Sequence, residues 1–283
     1  MKKIKIDRIV LYFVLILFVI ILVGPFIWLT SSSLKNNSGI FSTKFSLIPV
    51  NSEGKIYFNF DNYTRAIEYL KLGTLFFNTL IVATANTLFN LFFNSLAGYG
   101  FARLEFKGRD TIFKIVLTSM MVPGTVMLVP NMIIISKLGL YDNIMALIIP
   151  FTMSVYNVFL MRQTFLSFPK ELEEAATIDG ANTFQIFWKI SCPLVKPMLV
   201  VLGITTFMWN YNNFLWPLVV ITSPENNTLA LGLGALISAS AHNAELYPVM
   251  LAGSVIVSLP LIILFFIFQR QIMKGINAGG IKG

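Results

Sequence analysis

Two stretches of this 283-residue chain gather residue types that do more than pack. The first is Ser167-Phe-Pro-Lys-Glu-Leu-Glu-Glu-Ala-Ala-Thr-Ile-Asp-Gly-Ala-Asn-Thr-Phe-Gln-Ile-Phe-Trp-Lys-Ile-Ser-Cys-Pro193, which reads as a helix, a turn and a second helix. Ser167 is placed to cap the first helix, and Pro169 suits its first turn. Glu171, Glu173 and Glu174 fall near the positive end of the helix dipole, where acids are favoured. Asp179-Gly180 ends that helix, because glycine tolerates the left-handed conformation of a C-terminal cap. Asn182 caps the second helix and Pro193 ends it. An amphipathic hairpin lying on a surface accounts for Phe184, Ile186, Phe187, Trp188 and Ile190. It does not account for Ala175, Ala176 and Gly180 near the bend, where small side chains let a partner's surface come close to the backbone. The chemistry is docking.

The second stretch mixes amides with aromatic faces: Trp209, Asn210, Asn212, Asn213 and Trp216. That mixture suits the hydroxyls and C–H surfaces of a sugar. Asn78, Asn86, Asn90 and Asn94 are spaced in multiples of four and share one helical face. Hydrogen bonding between helices is the favoured reading for them, with Asn78 also a candidate for a polar path. Catalytic chemistry has no foothold. The sequence has no G-x-x-x-x-G-K-[ST] phosphate loop, H-E-x-x-H, G-x-S-x-G or clustered carboxylate pair. One histidine, His242, and one cysteine, Cys192, make neither a metal site nor a disulfide. No cofactor is expected in this chain.

Composition explains where these stretches sit. Hydrophobic residues make up 56% of the chain and charged ones 12%, against about 25% charged in a typical soluble domain. A charge at the centre of a spanning helix costs roughly 2.5–3.5 kcal/mol, so long charge-free intervals mark spans of ~20 residues. They predict six transmembrane helices near 9–30, 74–97, 112–135, 143–162, 197–219 and 248–269, in one membrane domain covering 1–283. External loops are expected at 31–73 and 220–247, with the hairpin at 167–193 cytosolic. Residues 226–244 also lack formal charge, but Asn226, Asn227, Ser238, Ser240, His242 and Asn243 make them too polar for lipid; a folded loop with a short surface helix is expected. Fifteen of the 21 lysines and arginines then fall in the N-terminus, the loops at 103–114 and 162–196, and the C-terminus. That bias puts both ends in the cytosol, gives the net charge of +8 a reading that needs no nucleic acid, and argues for membrane lipid as a partner. The first apolar run is too long for a cleaved signal core. None of the spans carries a charge at mid-depth, which argues against a proton-driven carrier.

The hairpin resembles a known family. Glu174-Ala175-Ala176, three residues, Gly180, nine residues, Ile190, one residue and Cys192-Pro193 is similar to the EAA motif of ABC importer permeases, with Cys192 where the family has leucine. The run Glu-Ala-Ala-x-x-Asp-Gly-Ala is similar to the carbohydrate-uptake, maltose-transporter branch. Leu96–Gly108, Gly139-Leu-Tyr-Asp142, Trp209-Asn210 with Phe214–Pro217, and the Lys274–Gly283 tail extend the likeness over nearly the whole chain.

The resemblance implies an all-α integral membrane protein with the type I ABC importer permease fold and a cytosolic coupling helix. It implies a bacterial or archaeal cytoplasmic membrane, a second permease chain, two ATPase subunits that hold ATP and magnesium, and an extracytoplasmic solute-binding protein. Glu174, Ala175, Ala176, Asp179 and Gly180 are assigned to ATPase docking. Trp209, Asn210, Asn213, Trp216 and Asn78 are candidates for the substrate path, and the tail is expected to reach between the ATPase subunits. A sugar or oligosaccharide is the expected cargo. The alternatives are a non-sugar solute such as glycerol phosphate, for which the spans offer no cation, and a membrane scaffold without cargo.

Overall fold

The computed structural model describes residues 6–42, 46–50 and 55–279. The lysines at 2, 3, 5 and 44 and the last four residues of the tail lie outside them. The regular structure of the described residues is helical, apart from one isolated antiparallel bridge between Val50 and Ile56. They group into two compact units, one within Met1–Gly73 and Gly232–Pro260, the other within Thr74–Leu231 and Leu261–Gly283.

Among the described residues, three helices are long and apolar enough to cross a bilayer whole, and counting two bent pairs as spans brings the number to five. The whole ones are α1 (Ile6–Ser33), α3 (Leu72–Arg103) and α13 (Tyr247–Gly279), each longer than its charge-free interval suggests. The intervals expected for the other three spans are interrupted among the described residues. The 112–135 interval divides into α4 (Arg109–Thr118) and α5 (Leu128–Lys137). Pro123 disfavours helical backbone at Val122, which is extended at φ −82°, ψ 118°. The 143–162 interval divides into α6 (Ile144–Ile148) and α7 (Val155–Leu166), bent by 41°, with Pro150 in the 3-10 turn between them. Asn143 caps the first by accepting from Met145 N at 2.9 Å, and Ser154 caps the second. The 197–219 interval ends α10 (Lys196–Tyr211) at Asn212 and restarts as α11 (Leu215–Val220).

In the first unit, α2 (Asp61–Tyr69) ties down the end of α1: buried Asn62 donates to Ser33 O at 2.8 Å and Lys35 O at 2.9 Å. The short helix expected in 226–244 is the 14-residue α12 (Leu229–His242), which enters this unit at Gly232 and whose Leu229, Leu231 and Leu236 are buried. At about 1.5 Å per residue it is too short to cross a core of about 30 Å. A side chain at Gly253 would touch Leu236 and Leu70 at 3.3 Å, so α13 and α12 meet closely there.

In the second unit, apolar packing falls in two clusters. One joins Val82, Ile135, Leu147, Ile148, Trp216 and Val220. The other joins Tyr99, Met161, Phe165, Phe187, Val195 and Leu202. Tyr99 sits against both Phe165 (centroids 5.4 Å apart) and Phe187 (5.2 Å). Between them α3 and α7 cross at Gly98, where a Cβ would lie 2.6 Å from Met161 Cβ and 3.0 Å from Arg162 N. Small residues permit such approaches in membranes. The turn before α6 is tied to the chain after α11. Asp142, at φ +57°, accepts from Thr222 N and Ser223 N, each at 2.9 Å, and from the Ser223 hydroxyl. Its carbonyl accepts from Asn226 Nδ2 at 2.6 Å.

Two outcomes follow. Gly98→Ala should cost about 1–3 kcal/mol by overpacking, lowering the melting temperature of the detergent-purified protein, while Gly100→Ala, with open space at its Cβ, should not. The donors around Asp142 hold its carboxyl well below the usual carboxylate range. A depressed folded-state pKa gives stability that is present above the unfolded value near 4 and lost only as pH falls below it. Asp142→Asn should therefore lower the melting temperature by the same amount at pH 5.5 and pH 8.

Candidate functional site

The hairpin forms from α8 (Glu171–Ile178) and α9 (Thr183–Leu194). α8 ends in a paired cap: Ala181 N donates to Ala176 O at 2.9 Å and Gly180 N to Thr177 O at 3.1 Å. This closure needs the left-handed backbone Gly180 adopts, φ +85°. Asn182 then caps α9, and Gln185 returns the bond: Asn182 Oδ1 accepts from Gln185 N and Gln185 Oε1 from Asn182 N, both at 2.9 Å. Ser167 does not cap α8 as expected. Its hydroxyl closes α7 by donating to Thr164 O at 2.7 Å, and Lys170 occupies the N-cap position. α9 widens into a π turn over Phe187–Ser191, since Pro193 has no N–H to return to the Lys189 carbonyl. Beyond it the axis turns by 78° into α10, so the hairpin's second limb lies nearly across the helix that follows.

Of the residues assigned to docking, Glu174, Ala175, Asp179 and Gly180 are exposed and Ala176 is turned inward. Ile178, at 87% exposed, projects beside them, and Leu172, Phe184 and Trp188 are also exposed. The inner side is held by a residue the sequence did not single out. Glu173 Oε1 accepts from Arg103 Nε at 3.1 Å and from Ser191 Oγ at 2.8 Å. Arg103 Nη2 donates to Phe168 O at 2.8 Å. The signal was the arginine ending α3, which needs an acid once it is buried.

The second candidate stretch divides. Trp209 and Asn210 line a cavity of about 450 Å³ with Asn90, Phe151, Met153, Ser154, Tyr156, Asn157, Thr205 and Thr206. Trp209 meets Phe151 edge to face, centroids 5.1 Å apart, and both Trp209 and Tyr156 are largely exposed. Asn213 lies in a separate shallow recess. Trp216 is spent on structure: it is buried, and its indole N–H donates to Ala146 O at 2.9 Å. Asn78 is also spent, donating to Glu225 O at 2.7 Å and Asn227 O at 2.9 Å.

The asparagine face of α3 serves the break in the neighbouring helix pair. Asn86 donates to Leu147 O at 2.9 Å, Asn90 to Phe151 O at 3.3 Å, and Asn94 Oδ1 accepts from Ser154 N at 3.0 Å. The network reaches the cavity wall through Asn157 Nδ2, which donates to Asn90 Oδ1 at 2.7 Å, and through Asn86 Nδ2 to Asn210 Oδ1 at 2.9 Å. Asn86 Oδ1, fully buried, has no partner among the described residues. Those residues hold no cluster of potential metal ligands.

The family model for the binding-protein-dependent transport system inner membrane component matches residues 91–277. The arabinooligosaccharides transport system permease protein AraQ of Bacillus subtilis is 41% identical over 229 residues, 80% of this chain and 79% of that one. The lactose transport system permease protein LacG of Rhizobium radiobacter is 31% identical over 281 residues, 98% and 97% of the two chains. In fold, the chain superimposes with a TM-score of 0.83 on a chain of a bacterial ABC transporter involved in the import of the acidic polysaccharide alginate. That likeness covers 95% of this chain and 98% of the other at 24% identity, and it speaks for the fold alone. The family match takes in the hairpin and the cavity-lining residues from Phe151 to Asn210 together. The chain therefore belongs to the binding-protein-dependent transport system inner membrane component family, as a permease subunit of an ABC importer with that family's helical fold and not as an enzyme.

Proposed function

We propose that this chain is half of a gate that carries a neutral saccharide inward, driven by ATP hydrolysis on separate ATPase subunits. The observation that carries the reading is the hairpin. Its bend is fixed by two reciprocal caps, its inner side is bonded to the end of α3, and its outer side is left exposed. Glu174, Ala175, Asp179 and Gly180, with Ile178 beside them, form the face that enters a cleft on the ATPase. Ala176 acts from behind, packing the helix that presents them. The other half of the gate is a second permease chain, and an extracytoplasmic solute-binding protein delivers the cargo. The lysine and arginine bias supports cytosolic termini, which puts the hairpin on the ATPase side.

The sugar reading rests on the cavity and on the names of the relatives. Amides, hydroxyls and aromatic faces line it, with no charged side chain among them. Such a lining offers hydrogen bonds and C–H contacts to an uncharged, hydroxyl-rich solute and no counter-ion to an acidic one.

Ala175→Trp adds bulk on an exposed face. It should leave membrane insertion and melting temperature unchanged while abolishing co-purification of the ATPase and uptake by a deletion strain across a panel of neutral oligosaccharides. Normal uptake with the tryptophan in place would overturn the docking assignment. Trp209→Ala should leave the ATPase bound yet lower uptake at limiting sugar roughly tenfold, equivalent to about 1.4 kcal/mol of lost contact; an unchanged rate removes Trp209 from the path.

A further inference from the structure

The side chains of Arg103 and Glu173 are largely shielded from solvent, only 5% and 14% exposed, and neither lines the cavity beside Trp209. A buried ion pair is weak evidence of stability, since desolvation offsets most of its attraction. What this one fixes is geometry. The guanidinium grips two points at once: the α8 carboxylate through Nε, and through Nη2 the Phe168 carbonyl, where the chain enters the hairpin. The carboxylate in turn takes the Ser191 hydroxyl of α9. Both limbs of the hairpin and its entry segment therefore converge on the last residue of α3.

At its other contacts, α3 is the helix that manages the broken span. Its 32 residues run without interruption from Leu72 to Arg103. Asn94, Asn90 and Asn86 sit nine, 13 and 17 residues before Arg103, about 14–26 Å along the axis, and bond the backbone at Ser154, Phe151 and Leu147. The crossing at Gly98 lies between the two, where α3 touches α7 backbone to backbone.

Resting on the ATPase docking proposed above, we infer that the Arg103–Glu173 pair is a strut: it converts displacement of the docked hairpin into displacement of α3, and so of the Asn-held break that borders the cavity. Both are positioning residues. They act on the path through α3, and touch neither the solute nor the ATPase. Glu173 is suited to this because it bonds inward one residue ahead of exposed Glu174, so a single helix carries both the docking face and the transmitting contact.

The test uses the full complex with its partner permease and ATPase subunits in lipid nanodiscs, in a Cys192→Ala background. Ile178→Cys reports docking by cross-linking to the ATPase. Met153→Cys, exposed at the cavity, reports the gate by its maleimide labelling rate without nucleotide and with ATP and vanadate. With the pair intact, the labelling rate should change several-fold on trapping. Glu173→Gln and Arg103→Gln should keep the cross-link and lose that change, while Glu171→Gln, an exposed acid on the same helix, should keep both. A nucleotide response that survives Glu173→Gln overturns the strut, as does one lost equally in Glu171→Gln. Loss of the cross-link in Glu173→Gln overturns it too, by showing that the pair only holds the docking face together. Absence of the cross-link in the chain with Glu173 and Arg103 intact overturns the docking proposal itself, and the strut with it.

Discussion

Backbone N–H and C=O groups inside a bilayer have no water to turn to, and each one left unpaired costs several kcal/mol. Much of this fold follows from how that cost is met where a helix breaks. Between α6 and α7 the break releases the carbonyls of Leu147 and Phe151 and the amide of Ser154, and three asparagines one turn apart on α3 take one group each. A single interhelical hydrogen bond in a membrane averages only about 0.6 kcal/mol. The value of these contacts is therefore better read as the avoided cost of orphaned backbone. The same solution recurs at the other end of α3, where Asn78 takes the carbonyls of Glu225 and Asn227, and at the turn before α6, where Asp142 takes the amides of Thr222 and Ser223. Broken helices are tolerated here because one unbroken helix with a polar face runs alongside.

That division of labour sets what is left for function. An amide committed to the backbone has little freedom to follow a passing solute. Asn90 and Asn157 face the cavity with side-chain groups already engaged, and Asn210 is held by Asn86 and by Thr206 O. Among the lining aromatics, Tyr156 and Trp209 keep most surface free, alongside the side chain of Met153. On the proposed function, the wall is rigid and polar and the adaptable contacts are aromatic. Such a surface accepts sugars of varied stereochemistry more readily than it distinguishes them.

The hairpin was legible residue by residue because its signals are local. Gly180 has to be left-handed for α8 to close, and Asn182 is followed three residues later by the Gln185 that completes its cap; both are decided within a few positions of chain. α1, α3 and α13 were legible for a similar reason, since a long charge-free run has few other fates. The breaks were not. Pro123-Gly124, Pro150 and Asn212–Phe214 lie inside intervals whose hydropathy is that of a span, and proline within a membrane helix is often carried by neighbours. Ser167 misled because the same hydroxyl can close one helix or open the next, and only the three residues of spacing to α8 decide. α12 was foreseen as a short helix that does not cross, from its serines and His242; what the sequence did not show is that Leu229 and Leu236 are buried rather than laid on a surface.

The long-range pairings lie furthest beyond the sequence, and they show why the two candidate stretches had to be revised in different ways. The hairpin gained a residue: Glu173 reads as one acid among three until Arg103, 70 positions earlier, is placed against it. Among the substrate-path candidates, Asn78 and Trp216 donate to backbone carbonyls far off in sequence. Both revisions have one cause. In a chain with 12% charged residues and a bilayer around it, polar side chains are scarce and backbone demand for them at each break is high. A polar residue in such a chain is first a candidate for structure. It becomes a candidate for direct contact with a partner or solute when, like Glu174 on the hairpin or Trp209 on the cavity, it stays exposed after that demand has been met.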